Sequence, residues 1–172
     1  VFTRTLHLPE RGFAERRKHA GEPTFAVAYT TNFESASRTP FLSDTSDFVV
    51  AGASRYTYGL NNRFFYRGRT VGEVRGQTRE FLTVGLQQTY YTNSQSSLYD
   101  TGYSSASTSR RQVDLSPIAL NARVSPNSTI DGTARVEYDV SGGGLQVLTI
   151  GSNINIERLR SNVNFNRRHL NK

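Results

Sequence analysis

Along Arg79 to Tyr91, reading REFLTVGLQQTYY, apolar and polar residues take turns. Leu82, Val84, Leu86 and Tyr90 fall on one parity and Arg79, Thr83, Gly85, Gln87 and Thr89 on the other, with Phe81 and Gln88 as exceptions. A period of two is the repeat of a β-strand, whose successive side chains leave opposite faces. The two faces are chemically unlike: a short aliphatic band finishing in a tyrosine, backed by arginine, threonine, glycine and glutamine. A strand set between hydrocarbon and a wet interior needs that division, as the staves of a transmembrane barrel do.

The same dress recurs along the chain. From Phe48 to Arg67, Tyr56, Tyr58, Leu60, Phe64 and Tyr66 oppose Arg55, Thr57, Gly59, Asn61, Arg63 and Arg67. That run exceeds the five or six residues usual for a globular strand and suits a tilted membrane crossing of ~9–11 residues that extends beyond the bilayer. Ile118, Leu120, Ala122 and Val124 oppose Ala119, Asn121 and Arg123, and Ala134, Val136, Tyr138 and Val140 oppose Thr133, Arg135, Glu137 and Asp139. Leu148, Ile150, Ile154 and Ile156 then face away from Thr149, Gly151, Asn153, Asn155 and Glu157, and Val163 and Phe165 away from Asn162, Asn164 and Asn166. With Thr24 to Thr31 and the weakly patterned Val1 to Leu8, the reading is all-β: about eight strands and no helix. No repeat of fixed period and no interdomain linker divides it, so one antiparallel meander over residues 1–172 is the simplest account.

Connections differ by end of the sheet. Ser125 to Ser128 and Ser141 to Gly144 carry the proline and glycines of tight turns. Asn32 to Asp47 and Thr92 to Ser116 are long, polar and aperiodic. Taken in alternation, the long connections fall at one end and the proline turn at the other, the asymmetry of outer-membrane barrels; the glycine turn is short where length is expected.

Composition agrees. Only 35% of residues are hydrophobic and the mean hydropathy is −0.54, thin for a soluble core but natural where half the strand positions meet water. No run approaches the ~20 apolar residues of a spanning helix. Without cysteine there is no disulfide or thiolate chemistry. The chain opens at Val1 with neither initiator methionine nor a leader pattern, so we expect a fragment or a processed chain. The net charge of +7 is almost wholly arginine, Lys18 and Lys172 being the only lysines. Those arginines are spread through strands and accompany no nucleic-acid motif, which favours a solvated or lumen face over nucleic acid, with anionic lipid contact as a lesser reading.

Enzyme signatures fail one by one. His7, His19 and His169 lie far apart, without a second ligand at metal spacing. Asp44 and Asp47 fit a solvated Asx turn better than a calcium loop. Gly102, Ser104 and Ala106 are not a nucleophile elbow, and Gly142 to Gly144 lack the lysine and helix of a phosphate cradle. Asn127-Ser128-Thr129 matches a glycosylation acceptor, incidental in a bacterial envelope protein. Arg123, Arg135, Glu137 and Asp139 alternate on one face, where neighbouring strands bring opposite charges together. No catalytic residue, metal site or cofactor is expected.

Several ordered motifs carry a resemblance. Lys18-His19, Glu22-Pro23 before an aromatic strand, Phe41, Asp44 and Asp47, and Tyr58-Gly59-Leu60-Asn61-Asn62-Arg63-Phe64 resemble the C-terminal barrel of the LPS-assembly protein family, LptD or organic solvent tolerance protein. Arg79-Glu80-Phe81-Leu82, Gln87-Gln88-Thr89-Tyr90-Tyr91, Leu115 to Leu120 and Arg135 to Asp139 are similar to its later strands, so the similarity runs from Lys18 to Phe165. The resemblance implies a large outer-membrane barrel of a Gram-negative bacterium, holding an LptE-like plug lipoprotein. A periplasmic domain receives lipopolysaccharide from a bridge of related proteins, and the barrel opens laterally to the outer leaflet. It departs from the family in lacking the periplasmic domain, the family's cysteines and a terminal aromatic, and in having too few strands to close its barrel.

The expectation is therefore a noncatalytic stretch of barrel wall for lipopolysaccharide delivery. Its outer face meets outer-membrane lipid, and Arg63, Arg67, Arg79, Arg123 and Arg135 face the lumen and contact the glycolipid. Two alternatives stay open: a porin-like solute channel, and a soluble β-sandwich that binds carbohydrate through its tyrosine-rich loops and keeps its core on the face assigned here to lipid.

Overall fold

Eight strands lie side by side in chain order, and each pairs antiparallel with the one before it. The computed structural model describes residues 1–7, 14–32, 52–68, 76–100 and 112–168. Within these lie β1 (Phe2–His7), β2 (Ala14–Thr30), β3 (Ala53–Gly68), β4 (Thr78–Tyr91), β5 (Ile118–Val124), β6 (Ile130–Asp139), β7 (Gly144–Ile156) and β8 (Leu159–Arg168). They form one sheet in chain order, with β1 and β8 at its two edges. The fold is the expected all-β antiparallel meander. The single helical element among the described residues is a 3₁₀ helix at Ser94–Tyr99.

β2 starts well before the expected Thr24 and runs through Gly21 and Pro23. The last described β1–β2 pair is Phe2 with Gly21, so none of those pairs calls on the N–H that Pro23 lacks. The residues expected to extend β3 back to Phe48, the acidic loop with Asp44 and Asp47, the Gly102 to Ala106 stretch and His169 lie outside the described residues.

Register carries the two faces across every strand. Phe25 pairs with Tyr58, which pairs with Gln88, and Leu60 pairs with Leu86, which pairs with Leu120 and so to Val136 and Leu148. On the reverse face Asn61, Gly85, Asn121, Arg135, Thr149 and Asn166 line up in the same way. Among the described residues no second layer covers the apolar face: Phe25 is 70% exposed and Val163 62%. Among the described residues the buried apolar side chains are Ala14, Ala20, Ala53, Tyr91 and Val147. Among the described residues, the core that a β-sandwich would keep on this face is absent.

The apolar face is itself layered. Tyr56, Tyr58, Tyr90 and Tyr138 stand toward one end, Phe64, Tyr66 and Phe81 toward the other, and Leu60, Val84, Leu86, Leu120, Ala122, Ala134 and Val136 between them. At ~3.3 Å per residue and a tilt of about 40°, Tyr58 and Tyr66 are separated by ~20 Å along the normal, near the height of a barrel's apolar band between aromatic girdles. Gln88, one of the two exceptions to the alternation, sits at the tyrosine level. It accepts from the Tyr58 hydroxyl at 2.7 Å and donates to the Ser116 carbonyl at 3.1 Å.

Phe81, the other exception, is the extra residue of a β-bulge. Phe64 pairs with Leu82 and Phe65 with Glu80, leaving Phe81 without a partner. Its ring lies 6.4 Å from that of Phe64 and 5.8 Å from that of Tyr66, so Phe81 and Leu82 share the apolar face. The bulge shifts the parity of what precedes it: Glu80 joins the polar face and Arg79, paired with Tyr66, the apolar one.

The strand ends joined through 8–13, 69–77, 125–129 and 157–158 lie at one end of the sheet, and those joined through 31–52, 92–117 and 140–143 at the other. At the first end Asn127 Oδ1 accepts from the amides of Thr129 and Ile130 at 3.0 and 2.8 Å, an Asx turn. At the second, Gly142 and Gly144 adopt φ of 104° and 65°, the left-handed region open to glycine, and so keep that hairpin short.

Candidate functional site

The polar face curves around a hollow of about 550 Å³ between β2 and β7. The polar side chains that line it are those of the polar parity, Asn61, Thr83, Asn121, Thr133 and Thr149 among them, together with Arg123 and Arg135. Gly59 and Gly85 interrupt the side chains on this face. A Cβ on Gly59 would come within 2.6 Å of the Leu86 carbonyl oxygen, so the close approach of β3 and β4 there depends on glycine. The result is a shallow trough of hydroxyls and amides, the donors and acceptors that hydrogen-bond sugar hydroxyls and phosphate oxygens.

Its arginines are tied to carboxylates. Arg63 grips Glu80 through Nε at 2.9 Å and Nη2 at 2.6 Å, and the Thr83 hydroxyl donates to the other oxygen of Glu80. Arg123 reaches across to Asp131 on β6 at 2.9 Å. Arg135 holds Glu137 two residues along the same strand, through Nε at 2.8 Å and Nη2 at 2.5 Å. The expected cross-strand charge ladder is thus realised for Arg123, whereas Arg135 finds its carboxylate along its own strand. Glu137 is 2% exposed, and its second oxygen has no hydrogen-bond partner among the described residues.

At the long-connection end the chain folds inward over this face. Tyr91 is fully buried and donates to Asp100 Oδ2 at 2.6 Å, while Asp100 also pairs with Arg55 at 3.4 Å. Asn93 caps the 3₁₀ helix by accepting from the Gln95 amide, and Ser97 Oγ accepts from the Val113 amide at 3.1 Å. Ser116 Oγ accepts from the Thr89 amide at 2.9 Å. Where this connection meets the wall, Asp100, Thr89, Ser116 and Glu137 enclose about 30 Å³, room for one water.

Of the residues expected to face the lumen, Arg63, Arg67, Arg123 and Arg135 stand on the polar face, and Arg123 and Arg135 meet at the hollow. Arg67 lies nearer the tight-turn end, where its Nε donates to the Gly76 carbonyl at 3.3 Å. Arg79 is on the opposite face, because the bulge at Phe81 reverses its parity. Glu80 and Asp131 and the floor of hydroxyls and amides were not among the expected contacts. Parity alone identifies the floor and Asp131, but Glu80 is hidden by the bulge.

Neither curated proteins nor solved structures gave a match to the chain. Among family models, the one described as LptD, LPS transport system D, matches residues 30–172, which takes in β3 to β8 and most of the polar hollow. The chain therefore belongs to the LptD family, and its role lies in lipopolysaccharide transport and assembly.

Proposed function

We propose that this chain is a stretch of outer-membrane barrel wall that helps deliver lipopolysaccharide to the outer leaflet. The observation that carries the reading is the sheet's uncovered apolar face, banded between two aromatic levels and backed by a continuous polar trough. Burying Leu, Val or Phe side chains stabilises by roughly 1.5–3 kcal/mol each, so a face this apolar requires a cover, and hydrocarbon fits its band height. The long connections then lie outside the cell and the tight turns in the periplasm, as in outer-membrane barrels generally. The saccharide and phosphate groups pass along Asn61, Thr83, Asn121, Thr133 and Thr149, with Arg63, Arg67, Arg123 and Arg135 as the cationic contacts. Because Arg63, Arg123 and Arg135 are each bound to a carboxylate, they offer oriented N–H groups with little net charge, which lets a polyanion pass without being trapped. An LptE-like plug and the periplasmic bridge proteins are the partners this reading implies, and no step in it is catalytic.

Nitroxide labels on cysteines introduced into the intact protein test it, the chain having no cysteine of its own. Labels at Val84, Leu86 and Val136 should be relaxed by oxygen dissolved in lipid, and labels at Thr83 and Arg135 by a water-soluble nickel chelate. Uniform or reversed accessibility would overturn the barrel assignment. A photoreactive residue at Asn121 should capture lipopolysaccharide in cells, whereas one at Val84 should not; equal capture removes the polar route.

A further inference from the structure

The apolar face carries cations that the lumen reading does not use. Arg17, Tyr66 and Arg79 share one register row across β2, β3 and β4. One row inward, Arg4 is level with His19, which stacks on Phe64 with ring centres 4.5 Å apart and bonds to Asn62 Oδ1 at 2.9 Å. Arg4, Arg17 and Arg79 are all exposed. Of the strand carboxylates whose side chains are described, Glu22, Glu80, Asp131, Glu137 and Asp139 lie on the polar face. The arginines therefore stand at or next to the Tyr66–Phe81 aromatic level, at the tight-turn end, and those described strand carboxylates face the other way.

We infer that Arg17 and Arg79, flanking Tyr66, bind the phosphate of an anionic phospholipid in the bilayer leaflet at the tight-turn end. The inference rests on the barrel reading above, and what it adds is a headgroup site on the lipid side of the wall. The two arginine backbones are separated by two strand spacings, about 10 Å, a span that two extended guanidinium forks close upon one phosphate. Tyr66 is fixed between them by its hydroxyl bond to the Pro126 carbonyl at 2.9 Å and by its contact with Phe81. Leu82, Val84 and Val124 lie next toward the aliphatic band and supply apolar surface for the acyl chains. Charge complementarity selects an anionic lipid over a zwitterionic one, and the aromatic level matches headgroup depth.

The test uses the intact barrel protein with its plug, in nanodiscs of equimolar phosphatidylglycerol and phosphatidylcholine. Lipids retained after mild detergent release are counted by native mass spectrometry. The wild type should retain phosphatidylglycerol roughly tenfold over phosphatidylcholine, and Arg17→Gln with Arg79→Gln should abolish that preference. Arg167→Gln, on the apolar face of β8 and four strands from Arg79, should leave it unchanged. Equal retention of both lipids by the wild type overturns the site without recourse to any variant, as does an unchanged preference in the double variant. Complete displacement of the lipid by millimolar inorganic phosphate would reassign it as a free-anion site. Labels at Val84 and Leu86 in the same nanodiscs separate the two readings. If they report water, the barrel assignment fails; if they report lipid while the preference is absent, only the headgroup site fails.

Discussion

Glu80 and Arg79 are neighbours in sequence and face opposite ways, so they separate structural from interfacial charge. Glu80 accepts two bonds from Arg63 and one from Thr83, and replacing its carboxylate by an amide strands a guanidinium in the trough. Both partners are about a third exposed or more, which lowers the worth of the pair below that of a buried one. Glu80→Gln should therefore destabilise the intact protein in lipid vesicles by about 1 kcal/mol, whereas Arg79→Gln should change stability by less than ~0.5 kcal/mol. Urea unfolding in vesicles measures both. Equal effects would mean that the two residues share a face. The alternating sequence assigns Arg79 to the polar side, and only the break at Phe81, read as a bulge, reverses it.

β4 contains a break that only its neighbour explains. Because Phe81 is an inserted residue opposite no partner, its deletion should keep Leu82 against Phe64 and Glu80 against Phe65. We expect the protein lacking Phe81 to fold, losing about 0.5–1.5 kcal/mol for each aromatic contact given up, with a nitroxide at position 79 still on the lipid side. A strand without a bulge would instead carry that label in the lumen before the deletion and on the lipid side after it, so nickel-chelate accessibility at position 79 with and without Phe81 decides. The other elements were more legible. The tyrosine–leucine parity of β3 and the asparagine ladder of β8, Asn162, Asn164 and Asn166, stand as their spacing indicates. β2 was read too short, because Gly21 and Pro23 look like a boundary until β3 is seen to pair across both.

At the scale of the molecule, the sheet has two unpaired edges and one uncovered face. β1 and β8 do not pair with each other among the described residues; in the barrel wall proposed above each edge would meet another strand, since bare edges invite uncontrolled pairing. Cysteines at Thr149 and Asn166, which are register partners on β7 and β8, should form a disulfide on oxidation of the intact protein. Cysteines at Thr3 and Asn164, on the two edge strands, should not, and efficient cross-linking of that pair would show a small barrel closed by these eight strands alone. Non-reducing gel mobility reads both.

Alternation is a local property: a pleated backbone sends every second side chain to the same side, so Tyr56, Leu60, Phe64 and Leu86 declare their face from spacing alone. The sequence by itself thus determined the all-β class, the meander, the unlike faces and, through its ordered motifs, the family. The tertiary structure decided what depends on residues far apart in the chain. Arg63 finds Glu80 across a bulge, and Tyr91 is buried because Asp100 and Ser116 return over the inner face. Arg17 and Arg79 come to flank Tyr66 only through the pairing of three strands. Those outcomes turn on register, which is set by the fit of whole strands to one another and is carried by no single segment.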